Sequence, residues 1–170
     1  MEKTLSPLHC IFFIYQNFAV VTDGVLSDEE KKRIGHCMSR WVGHKNTVIN
    51  EQEVLKIINE TIEWQTKTIF EKNQDEKKIG SVMTGTMLSM LDYLKNQKWF
   101  HRANREFFLM DIRNIAWADN KFTETEKKWH DIFAESLGLN IRITEMSQKE
   151  VQTKIAETRK QKIGFRTERD

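Results

Sequence analysis

Apolar positions recur along the chain at spacings of three, four and seven, the period of helices that bury one face. Val54, Ile57, Ile58, Ile62 and Ile69 form one such set; Ile79, Met83, Met87, Met90, Leu91 and Leu94 form another. They predict a third helix capped by Asn50 and fading between Lys72 and Asp75, and a fourth from about Glu76 to Lys95. Before them, the stretch Leu8 to Val21 is apolar on nearly every face. It predicts a first, centrally buried helix from about Pro7 to Thr22, with Ser6 as its cap and the proline in its first turn. Ser27 and Glu30 announce a second helix that ends near Gly43. A fifth is expected from about Trp99 to Ala118. A sixth opens at Thr123 to Glu126 and closes at Leu137-Gly138-Leu139, with Trp129, Ile132, Phe133 and Leu137 inside. The last, from Met146 to about Gln161, is poorer in apolar residues and runs into Arg159, Lys160, Lys162, Arg166 and Arg169.

Composition agrees with this pattern. One proline and seven glycines in 170 residues leave few hairpin turns, so the expected class is all-α, a single bundle of about seven helices. The 27 basic and 25 acidic residues are interspersed, which aims no general field at nucleic acid or an anionic membrane. Leu8 to Val21 contains His9, Gln16 and Asn17 and is shorter than the roughly 20 residues that span a bilayer, so no transmembrane segment is expected. With no basic run beyond Lys3 and no small-x-small site before Asp23, no signal peptide is expected either. Two cysteines, Cys10 and Cys37, suit a reducing compartment, and cytoplasm is the expected location, although one bridge between them is geometrically open.

The most informative feature is an internal repeat. Asp23-Gly24-Val25-Leu26-Ser27-Asp28-Glu29-Glu30-Lys31-Lys32 aligns without a gap with Asp119-Asn120-Lys121-Phe122-Thr123-Glu124-Thr125-Glu126-Lys127-Lys128, so a helical hairpin is duplicated. Gly24 and Asn120 suit the left-handed turn that stops the incoming helix, and Leu26 and Phe122 precede the cap as staples. Asp23 and Asp119 remain, each at the C-terminal end of a helix where a negative charge is unfavourable. Either the free backbone donors of the next helix compensate them or a metal ion does. If the two hairpins pack side by side, Asp23, Glu30, Asp119 and Glu126 converge as an oxygen-rich site. Such a site suits calcium or magnesium rather than zinc.

The run Phe18 to Glu30 and its counterpart Ile115 to Glu126 resemble the Ala-rich, Asp-Gly, Glu-terminated signature of the TerB-like (tellurite-resistance) family, and Ala134 to Leu139 resembles the close of that domain. The resemblance spans about Phe12 to Leu139. It implies a TerB-like helical domain over 1–145, followed by a C-terminal helix and basic tail over 146–170. It also implies association with tellurite resistance and related stress responses and an acidic cation site at Asp23, Glu30, Asp119 and Glu126; a non-catalytic accessory role with another protein as partner is expected. Asn120 departs from the second glycine of the signature, and no family motif occurs between Asn46 and Asp75.

Turn-and-cap architecture without metal, in a helical scaffold or protein-interaction module, is the plain alternative for the four carboxylates. Zinc at His9, Cys10, His36 and Cys37 is disfavoured because helical neighbours point about 100° apart. No spacing pairs a nucleophile with a base, and His44, His101 and His130 are scattered, so no enzyme is expected. Trp99, Phe100 and His101 beside Arg102 and Arg105 are a single basic aromatic cluster, too little to predict nucleic-acid binding.

Overall fold

Ser6 caps the first helix, α1 (Pro7–Asp23), and Pro7 takes its first position, where a missing N–H costs nothing. Gly24 ends it in the left-handed conformation at φ 80°, donating its N–H to the carbonyl of Val20. Helix α2 (Asp28–Val42) starts at Ser27 and ends at Gly43, again left-handed. Then follow α3 (Thr47–Gln65), a π-helical turn (Thr66–Phe70), α4 (Glu76–Lys95), α5 (Arg102–Ala116), α6 (Glu124–Ser136) and a 3-10 turn (Ile143–Glu145). Residues 149–153 are helical again. The structure, a computed structural model, describes residues 4–43, 45–146, 149–153 and 156, without the side chains of Thr22 and Asp23. The molecule is an all-α packed bundle of seven helices with no strand among the described residues. No helix of the described residues is long and apolar enough to cross a membrane.

Helix α1 occupies the centre and touches each of α2 to α6. Ile11, Phe13, Ile14 and Tyr15 are wholly buried, and Phe12, Phe18 and Ala19 nearly so, which is why its apolar residues show no single face. The two hairpins, α1–α2 and α5–α6, pack on each other through α1 with α5 and α6 and through α2 with α5. Rings of Trp41, Phe100, Phe107 and Phe108 fill the space between α1, α2 and α5, with Trp41 and Phe107 edge to face at 5.3 Å. Cys10 and Cys37 are free thiols, both buried.

Four expectations change. Asn46, not Asn50, caps α3: its side-chain oxygen accepts from the N–H groups of Val48 and Ile49. Asn50 lies one turn inside and is buried, its amide bonded to the hydroxyl of Ser39 on α2. Ile62 is exposed, because the buried line of α3 passes through Val54, Ile57, Thr61 and Gln65. Helix α5 starts three residues later than expected: Phe100 is buried ahead of it, and Arg105 donates to the carbonyls of Lys95, Phe100 and Leu137. That basic aromatic cluster therefore ties helix ends together. In α6, Ile132 is exposed while Lys127, His130 and Asp131 are buried. The expected helix from Met146 to Gln161 and the basic tail lie mostly outside the described residues, as does His44.

At Gly24 an added Cβ would meet nothing within 4 Å, so only the left-handed backbone resists substitution. Gly24→Ala is expected to cost about 1–2 kcal/mol in urea unfolding. Asn120→Gly, at φ 62°, is expected to be neutral or slightly stabilising. Equal losses at the two positions would contradict this account of the turns.

Candidate functional site

The repeated motif folds twice in the same way. Ser27 and Thr123 share one cap conformation, φ −70° and ψ 160°. Each donates its backbone N–H to the glutamate three residues on, at 2.8 Å to Glu30 and 2.7 Å to Glu126. Each hydroxyl accepts the N–H returned by that glutamate, at 3.1 and 3.2 Å. The turns before them differ. Helix α1 is α-helical to its end, whereas α5 closes at Ala116 and tightens, with Ala118 bonded to Ile115 and Asn120 to Trp117. Phe122 is buried and packs on Trp117, and Leu26 sits partly buried against the core.

Both glutamates are nearly inaccessible, Glu30 at 1% and Glu126 at 3% exposure. Burial, with the charges of Asp119 and Glu30 added, pushes the Glu126 carboxyl up to about 7 against its hydrogen bonds to Thr123. So Glu30, Asp119 and Glu126, drawn from both hairpins, share one electrostatic neighbourhood. Asp119 is half-buried and its carboxylate accepts the N–H of Lys121 in its own turn, so part of its compensation is local. The side chain of Asp23 lies outside the described residues. Among those described, no three His, Cys, Asp or Glu side chains are arranged to hold a metal ion. His9, Cys10, His36 and Cys37 are dispersed: His9 bonds Ser6 and Glu60, and His36 is exposed.

Comparison with protein-family models, curated proteins and solved structures finds no match to this chain.

Two buried polar networks went unnoticed in the sequence. The Asp111 carboxylate, wholly buried on α5, accepts from Tyr15 Oη at 2.7 Å, Trp41 Nε1 at 2.8 Å and Arg40 Nη2 at 2.5 Å. Burial pushes this carboxyl up, and the Arg40 charge, with hydrogen bonds from Tyr15, Trp41 and the Cys37 thiol, opposes the rise. The same burial and the neighbouring Asp111 charge push the Tyr15 hydroxyl and the Cys37 thiol well up, so neither is a ready nucleophile. In the second network the Arg113 guanidinium, 2% exposed, donates to His130 Nε2 at 3.1 Å. Since arginine only donates, His130 carries its proton on Nδ1 and gives it to Asp131 at 3.0 Å. Asp131 also accepts from the backbone of Ile143 and Thr144 and from the Thr144 hydroxyl. Burial works against the ionised Asp131, but these bonds outweigh it and hold the carboxyl far below the usual range. Arg113, by contrast, is lowered to about 10 by burial. The only sequence signal for either network was charge inside an otherwise apolar helical segment.

Removing the Asp111 acceptor strands three donors, so Asp111→Ala is expected to cost about 3–5 kcal/mol and Tyr15→Phe about 1 kcal/mol in denaturant unfolding. A loss below about 1 kcal/mol for Asp111→Ala would mean the network holds little together.

Glu126 sets a pH dependence of defined sign. Its carboxyl ionises near 4.5 when unperturbed and near 7 in the folded chain, so the native state holds the proton more tightly. The stability this contributes is complete below about 4.5 and is lost as pH rises through 7. Glu126→Gln keeps a capping-box residue and is expected to flatten that fall, measured as the wild-type minus variant difference in urea midpoint across pH 4.5–7.5. Parallel curves would contradict it.

Proposed function

We propose that this chain is a non-catalytic, TerB-like accessory protein of a cytoplasmic stress response, acting through another protein, whose paired acidic turns bind a hard divalent cation. The observation that carries the reading is the position of Glu126. It is a buried carboxyl, raised to about 7 by burial and by the charges of Asp119 and Glu30, and added positive charge would favour its ionised form. Asp23 occupies the equivalent of Asp119 in the first copy of the repeat and completes the proposed oxygen set. Carboxylate and carbonyl oxygens favour calcium or magnesium over zinc. The two free thiols fit a reducing compartment.

A metal-free scaffold is the second reading, and one observation favours it. Glu30, Glu126 and Asp119 each already accept a backbone N–H in their own turn, which gives every one of them a structural role.

Thermal unfolding after chelation, repeated with calcium, magnesium, manganese and zinc, separates the two. A cation bound only by the native state at 100 times its Kd adds about 2.7 kcal/mol, seen as a rise of several degrees. The cation reading expects that rise with one hard ion, its loss in the Asp23→Asn, Asp119→Asn double variant, and proton release on binding near pH 7 in weak buffer. The scaffold reading expects no cation effect and a loss of about 1 kcal/mol each for Ser27→Ala and Thr123→Ala.

A further inference from the structure

The outer side of α2 is a second surface that the acidic turns do not explain. Lys32, His36 and Arg40 recur every four residues along it, with Arg33 beside them, and together they line a groove of about 540 Å³ against Asn114 and Ala118 of α5 and its C-terminal turn. Elsewhere cations are paired within their helices, Lys56 with Glu60, Lys67 with Glu63, Arg102 with Glu106 and Lys127 with Glu124. Lys32, Arg33 and His36 have no ion pair among the described residues, although Glu29 lines the same groove.

Arg40 differs from its neighbours in being fixed. Its Nη2 bonds the buried Asp111 carboxylate at 2.5 Å, and its guanidinium lies 5.2 Å over the Phe107 ring. Asp111 is itself held by Tyr15 and Trp41, so the anchor rests on three helices of the core. The side chain still has 45% exposure; Nη2 also meets Cys37 Sγ at 3.4 Å, and among the described residues Nε and Nη1 make no hydrogen bond. A fixed, half-exposed guanidinium whose Nε and Nη1 each remain able to donate singly, with His36 and Lys32 one and two turns away, presents several donors to the oxygens of a phosphate. A groove of this volume accommodates a small organic molecule.

We propose that the groove between α2 and α5 binds the phosphate group of a small phosphorylated molecule, with Arg40 as the fixed anchor and Lys32, Arg33 and His36 closing around it. The groove adjoins the acidic turns through Glu29 and Ala118 but uses none of Asp23, Glu30, Asp119 and Glu126. Asp111 acts behind it by holding Arg40, and Lys32 and Arg33 outweigh the single negative charge of Glu29 in the lining, which favours an anion over its uncharged counterpart.

The test is binding of AMP and of inorganic phosphate to the full chain, by calorimetry at ionic strength held constant with sodium chloride, with adenosine as the uncharged counterpart. Both phosphates are expected to bind and adenosine is not. The Lys32→Gln, His36→Gln double variant, changed only at exposed positions, is expected to weaken binding at least tenfold. Arg40→Lys, which keeps the charge but cannot hold Asp111 and donate outward from separate nitrogens, is expected to do so as well, while Lys128→Gln on the exposed side of α6 has no effect. The proposal is overturned if neither phosphate binds beyond the chloride control, or if Lys128→Gln weakens binding as much as the groove variants do. Binding to phosphatidylserine vesicles without binding to either phosphate would overturn it in favour of a membrane surface.

Discussion

Helix α1 is apolar on every side, and a helix of that kind is stable in water only if other helices cover all of it. Each of α2 to α6 does so. The polar atoms that α1 carries inward must then be satisfied inside the bundle, since an unpaired buried hydroxyl or amide costs about 1–3 kcal/mol. The Oδ1 of Asn17 and the Oε1 of Gln16 are buried without a hydrogen bond among the described residues, while Asn17 donates its amide N–H to the carbonyl of Phe13 within the helix. Tyr15 cannot do this, and its hydroxyl meets Asp111 on α5, which draws in Trp41 and Arg40 from α2. A requirement of the core is thereby transmitted to the surface: the carboxylate that satisfies Tyr15 also immobilises a half-exposed arginine.

The two acidic turns follow a different logic. Each capping box closes within four residues, and the shared cap dihedrals of Ser27 and Thr123 show how completely local bonding sets that geometry. What the turns do to each other is a consequence of packing. Burial in the bundle raises the Glu126 carboxyl first, Asp119 of its own turn adds to it, and Glu30 reaches it only because the hairpins lie together, so that this cap residue holds its proton close to neutral pH. The bonds that consume these carboxylates as caps and the field that makes them attractive to a cation coexist in one place.

The Arg113–His130–Asp131 chain is the counterpart of the Asp111 network at the other face of α5. It ends in the backbone of the Ile143–Glu145 turn, so the segment after α6 is held by charge-assisted hydrogen bonds as well as by the burial of Ile143. Helix α5 thus presents one buried carboxylate and one buried guanidinium two residues apart, each committed to a different set of helices.

Read alone, the amino-acid order determined the helices and most of their ends. Ser27, Thr123, Gly24 and Gly138 act within one turn of themselves, and α4 begins and ends where its methionine and leucine periodicity placed it. The repeat was legible for the same reason. The cap of α3 shows the limit: Asn46 and Asn50 are both competent caps, and the partner of Asn50 is Ser39 on another helix. Likewise Ile62 and Ile132 fit a buried stripe by period but face solvent, while Lys127, His130 and Asp131 lie inside. Tertiary structure alone decided these faces, the nearness of Glu30 to Glu126 and the anchoring of Arg40. Each depends on groups far apart in the chain, 96 residues for Tyr15 and Asp111 and 71 for Arg40 and Asp111, and no periodicity or capping rule reaches that far.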